Sequence, residues 1–158
     1  MKNTFKRSGA ALISLVLLLV LAVSAGAASS QNVGVKFWKE RSDKESMANS
    51  DIDPDRTATL TRQANGTYTL TLPVMQVSKL GVTGYLSGLT IGDVTYDGTL
   101  TGDFNKATAV LTIKNLPASV LTGSDVNKSV LVTCNIQMDL QVLGEINTSA
   151  RMCIWNQK

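Results

Sequence analysis

Seven consecutive even positions near the carboxyl end, Val130, Val132, Cys134, Ile136, Met138, Leu140 and Val142, are apolar or sulfur-bearing, with mostly polar residues between them. A period of two over thirteen residues puts those side chains on one face of a strand, which a helix cannot do. The same alternation recurs upstream. Val33, Val35 and Phe37 predict a first strand, and residues 57–62 a second. Asn65-Gly66 is a hairpin signal, after which Tyr68, Leu70 and Leu72 share one face of a strand over 67–74. Pro73 predicts an edge or a bend there. Short strands follow at 85–91 and 94–96, with a tight turn expected at Asp97-Gly98. Ala109, Leu111 and Ile113 mark a strand over 107–114, and a last strand is expected at about 149–155. Helical signal is confined to Ser42-x-x-Glu45, whose capping-box spacing predicts one short turn near 43–49. Many short strands and almost no helix define an all-β chain, an antiparallel β-sandwich.

The final hairpin contains a conflict. With Leu143-Gly144 as its turn, Cys134 would lie opposite Cys153, but Arg151 would then face the core. The other phase buries Ala150, Met152 and Ile154 and sends Cys153 outward. A one-residue slip reverses every side chain, so a regular ladder cannot satisfy both, although a bulge could. A Cys134–Cys153 disulfide would close a loop of about 20 residues and contribute on the order of 3 kcal/mol. The alternative is two unpaired thiols, one of them in the core.

The amino end has a different pattern. Lys2, Lys6 and Arg7 precede the apolar run AALISLVLLLVLAV (10–23), and Ala25 and Ala27 have signal-peptidase spacing. Residues 1–28 read as a secretory signal peptide, with an uncleaved membrane anchor as the alternative. Residues 29–158 then form a single domain, secreted or at the cell surface, large enough to bury roughly two thirds of its unfolded surface. Export also permits a disulfide.

The leader changes the charge argument. It holds three of the 15 basic residues and none of the 12 acidic ones, so the remainder carries 12 of each sign. No basic stripe is left to suggest nucleic acid. Histidine is absent, which removes the Ser-His-Asp arrangement and the commonest zinc and copper ligand. No nucleophile elbow or phosphate loop compensates. The chain reads as a binding module, not an enzyme.

Asp51-Ile-Asp53-Pro-Asp55 begins like a calcium loop, but Arg56 and Arg62 stand where glycine and glutamate are required. An EF-hand is excluded. A looser calcium site and a solvated turn of carboxylates both remain open. Asn65, Asn127 and Asn147 each begin a glycosylation-type triplet, which matters only in a source that modifies such sites. Trp38 and Trp155 could anchor a protein contact or belong to the core. The soft and aromatic donors are Met47, Met75, Met138 and Met152 with Tyr68, Tyr85 and Tyr96. Thioether and phenolate both bind haem iron without histidine, although Met and Tyr at alternating strand positions are more often core. Met47 is the odd one, sitting in a polar turn just before the sheet.

The stretches VKFWK, SDKESMAN, RTATLTRQANGTYTLTLPVM and GVTGYLSGL, with a weaker match in VLVTCNIQMDLQVLGEINTSARMCIW, resemble NEAT-type domains, the near-iron transporter modules of bacterial surfaces. The resemblance spans most of 33–155, and its specific part is the Ser-Met-x-Asn turn. It implies an immunoglobulin-like sandwich that binds haem or a haem protein. By position, Ser46 would bond a propionate and Met47 would pack on the ring. The family's Tyr-x-x-x-Tyr pair is replaced by Met138 and Val142, leaving Met138 as the implied iron ligand. Two other functions fit an exported sandwich: a cofactor-free adhesion or scaffold module binding other cell-surface proteins, and a calcium-dependent carbohydrate-binding module.

Overall fold

The computed structural model describes residues 28–79, 81–139 and 144–158. The leader (save Ala28), Leu140, Val142 and Leu143 lie outside the described residues. Among the described residues nine strands form: β1 (Ser29–Lys39), β2 (Ala58–Arg62), β3 (Tyr68–Pro73), β4 (Val77–Lys79), β5 (Val82–Ile91), β6 (Val94–Thr101), β7 (Val110–Leu116), β8 (Val130–Met138) and β9 (Glu145–Asn156). All pairings are antiparallel. Helix is limited to 3₁₀ turns among the described residues, at Met47–Asp51, Phe104–Lys106, Ala118–Val120 and Val126–Lys128.

Hydrogen bonding does not divide these strands into two sheets. The order β5-β6-β7-β3-β2-β1-β9-β8 returns to β5 through a β5–β8 pairing, which closes an eight-stranded barrel, and β4 hangs on the amino-terminal half of β5. The separate layers expected of a sandwich are therefore replaced by one continuous wall. The alternation read from the sequence fills its interior: Phe37, Leu60, Leu70, Leu72, Leu86, Leu111, Ile113, Met152 and Ile154 are fully buried. At roughly 25 cal/mol per Å² of apolar surface, this contiguous cluster is the main stabilising element.

Three local expectations shift. The β5–β6 turn falls at Gly92-Asp93, between the paired residues Ile91 and Val94, and Asp97-Gly98 lies inside β6. Gly98 is required there by a close approach, because a Cβ would collide with the Leu111 side chain and lie 2.6 Å from Ser87 O. Pro73 ends β3, which runs between β2 and β7 and is not an edge. The loop joining β2 and β3 spans 63–67 and not two residues, with Asn65 Oδ1 accepting from Thr67 N–H at 3.0 Å.

The disulfide is also corrected. Cys134 pairs across the ladder with Thr148, five residues short of Cys153 along β9. Five strand residues span about 16 Å, well beyond what a disulfide bridges. The burying phase is the one adopted: Ala150, Met152 and Ile154 face the core, and Arg151 does not. Cys134 joins them inside. Cys153 points outward yet is buried, its thiol donating to Asp125 O (3.6 Å) beside the Val126–Lys128 turn. Both thiols are free.

Candidate functional site

The turn Met47–Asp51 is set against the wall by specific bonds. Ser46 is its N-cap, where Ser42 was the expected one; Ser46 Oγ accepts from Ala48 N–H at 3.3 Å. Asn49 staples the turn to β1: its Oδ1 accepts from Phe37 N–H (2.8 Å) and its Nδ2 donates to Phe37 O (2.7 Å). The side-chain amide thus takes the place of a neighbouring strand for one residue. At the other end, Asp51 O accepts from Met75 N–H at 2.9 Å. Held on both sides, the backbone leaves Met47 pointing outward with 61% of its surface exposed.

That methionine forms one wall of an apolar groove of about 190 Å³. Ala48 and Asp51 also line it, with Ile136, Met138, Ile146 and Thr148 from β8 and β9 and Val77, Val82 and Gly84 from β4 and β5. The structure thus brings Met47 and Met138 to one groove, although they are far apart in sequence. Ser46 is buried beside the groove and does not line it. Asp51 is a buried carboxylate on the lining. Beneath it, the Cys134 thiol is pushed up from 9.0 to about 12, first by burial and second by the Asp51 charge. At neutral pH it is a protonated core thiol and no nucleophile.

The remaining donors lie elsewhere. Met152 is core, and Tyr68 and Tyr96 pack against the core. The Tyr85 ring packs tilted against Phe104, with centroids 5.1 Å apart and planes at 47°. Met75 lines a separate, more polar depression with Asp53 and Arg56. Asp53 Oδ1 accepts from Asp55 N–H (3.0 Å) and Oδ2 lies 3.7 Å from Arg56, so this carboxylate is used in holding its own loop. No cluster of three or more potential metal ligands of the His, Cys, Asp or Glu type occurs among the described residues. Trp38 lies beneath the Lys36 ammonium, 4.6 Å from its ring, and Trp155 covers Gly34.

Sequence reasoning missed Val77, Val82, Gly84 and Ile146. Only Ile146 left a signal, as an isolated apolar residue in the polar run Glu145–Ser149. Asn49 belongs to the turn motif, but nothing in the sequence marked it as the staple.

No family model matches the chain, and no curated protein matches it. Solved structures do. The NEAT5 domain of IsdX2, a B. anthracis hemophore, in complex with haem, and a mutant of that domain, also with haem, each superpose with a TM-score of 0.53. Each match has 10% sequence identity and covers 83% of this chain and 98% of the other. Identity this low establishes likeness of fold: the chain has a NEAT-like all-β fold.

Proposed function

We propose that the chain is an exported, non-enzymatic haem-binding module, with the porphyrin held in the groove between the Met47–Asp51 turn and the β8–β9 hairpin. The supporting observation is that one apolar groove beside the filled barrel core is lined by two thioethers, those of Met47 and Met138. The lining fits the group. Its Val, Ile and Met side chains would hide a porphyrin face from water, and a thioether is a competent haem-iron ligand. Met138 would hold the iron and Met47 would pack on the ring, while Ser46, buried as the cap of the turn and off the lining, would serve by fixing that turn and not by meeting a propionate. Bound haem would supply the iron that accepts the sulfur donor. The haem held by both structural neighbours supports this reading.

Strand direction supports surface display. β1 starts and β9 ends at the barrel end opposite the groove, where Val33 pairs with Asn156. Were the leader retained as an anchor, this would leave the groove facing away from the membrane. Titration of the protein with haemin tests the site. A Soret shift at micromolar ligand, lost or weakened in Met47→Ala and Met138→Ala, is the expected result; no shift, or one that both variants leave unchanged, removes it.

A cofactor-free adhesion module is the second reading. It is favoured by the outer edge of Glu145–Ser149, along which no strand pairs among the described residues. An open edge of this kind accepts an extended partner chain. Capture of a surface protein by a variant blind to haem would favour it.

A further inference from the structure

Gly84 and Met138 face each other directly in the β5–β8 ladder. Among the described residues six glycines take left-handed backbone angles that explain their identity, and Gly84 is not one of them. Its reason is space. A Cβ built on Gly84 would lie 2.8 Å from Met138 Sδ, 3.1 Å from Gln137 O and 3.3 Å from Ile136 Cγ2. The thioether therefore lies across the notch that Gly84 leaves in β5, and both residues line the groove. The nearest atom is the far end of a flexible side chain, so an added methyl displaces the sulfur before it displaces the sheet. Met138 is half-buried with its sulfur against this notch, whereas Met47 is largely exposed on its turn.

We infer that Gly84 is a positioning residue: by carrying no side chain it admits the Met138 thioether to the groove, and through that sulfur it biases bound haem toward the ferrous state. This rests on the haem reading above. The chemistry is that of a neutral, soft donor. Thioether sulfur favours the lower-charged, softer metal ion, and methionine ligation raises haem potentials. Phenolate oxygen, an anion, does the reverse.

The experiment compares the haem-loaded wild-type protein with Gly84→Ala, Met138→Leu and the double variant, each checked for native melting. Two signals are read: the near-infrared sulfur-to-iron charge-transfer band of the ferric form, and the ferric–ferrous midpoint potential. Gly84→Ala is expected to lose the band and to lower the ferrous-over-ferric affinity ratio about tenfold, a fall of about 59 mV for one electron. Met138→Leu, which leaves the β5 notch untouched, gives the same two losses. In the Met138→Leu background, adding Gly84→Ala changes neither signal further. The inference is overturned if Gly84→Ala keeps the native band and potential, if Met138→Leu keeps them, or if the Gly84→Ala effect survives in full without Met138. A wild-type protein giving no Soret shift with haemin removes the haem reading itself, and this inference with it; a wild-type shift with an indifferent Gly84→Ala removes the inference alone.

Discussion

Two regions of the barrel wall obey one sequence pattern and come out differently. In the closed part, β2, β3 and β7 each have a neighbour on both sides, and their inward residues Leu60, Leu70, Leu72, Leu111 and Ile113 are sealed from water. Elsewhere β9 outruns β1. The last β1–β9 pair is Lys39 with Ala150, and Glu145–Ser149 continue with β8 alone. Every residue of that overhang is exposed, whereas Ala150, Met152 and Ile154 below it are buried. β1 stops because the chain turns back, Lys39 N–H donating to Lys44 O at 2.8 Å. Alternation therefore buries apolar side chains only where the ring closes; where one strand is missing, the same alternation makes a groove.

The sharpest break of this comparison is in the closed part of the wall. Leu70→Ala removes a fully buried side chain that faces Leu60 and Ile113 across its two ladders. The expected loss is about 2–5 kcal/mol in urea unfolding. Ile146→Ala, in the overhang and 42% exposed, should stay within about 0.5 kcal/mol. Equal losses would mean that the overhang is as well packed as the barrel, and the groove would lose its explanation.

Alkaline pH probes the boundary between the two regions, where Cys134 sits under the groove. Its folded-state pKa is raised, from 9.0 to about 12, so the folded protein favours the neutral thiol. The stability this thiol contributes is fully present below about pH 9, begins to fall once the unfolded chain ionises, and is lost as pH rises through about 12. Within that window stability should decline by about 1.4 kcal/mol per pH unit from this group. Cys134→Ala should flatten that slope, and the native protein should resist thiol reagents at pH 8. Rapid labelling of Cys134 in the native state would contradict its burial.

What the sequence disclosed follows the same division. The faces of the strands were legible: Val130, Val132, Cys134 and Ile136 of β8, and Leu70 and Leu72 of β3, join the core as their spacing requires. The turn carrying Met47 was legible too, because a methionine in a polar segment needs a reason. Ring closure was not, since alternation specifies which face a residue occupies and not which strand lies beside it; the β5–β8 pairing joins positions about fifty residues apart. The Cys134–Cys153 bond failed for a related reason: it assumed a turn at Leu143-Gly144, whereas the ladder pairs Cys134 with Thr148. Gly84 was invisible because its role exists only opposite Met138.

A smaller effect tests why β1 ends where it does. Arg151 donates through Nε to Lys39 O (3.1 Å) and through Nη2 to Ser42 O (2.9 Å), with Asp43 Oδ1 at 2.7 Å. These bonds latch the 39–44 loop beside the base of the overhang. Asp43 itself is largely solvent-exposed, so that ion pair contributes little and the two carbonyl bonds carry the effect. Arg151→Ala should cost about 1–2 kcal/mol and speed amide exchange in that loop ahead of the rest of β1. Unchanged exchange there would show that the turn holds itself.

The smallest effect on stability is the most informative about function. Met47→Ala trims a side chain that is 61% exposed, so its unfolding free energy should move by less than about 0.5 kcal/mol. The same change strips one wall of the groove, and haemin affinity should fall about tenfold or more, read as weaker Soret titration. Leu70→Ala, assayed below its unfolding midpoint, should show the inverse: large instability and near-native haemin affinity. Paired urea and haemin titrations of both variants would separate a residue kept for folding from one kept exposed at an energetic disadvantage. If Met47→Ala instead destabilises the barrel and spares haemin binding, Met47 caps the core and the groove is only the gap beside it.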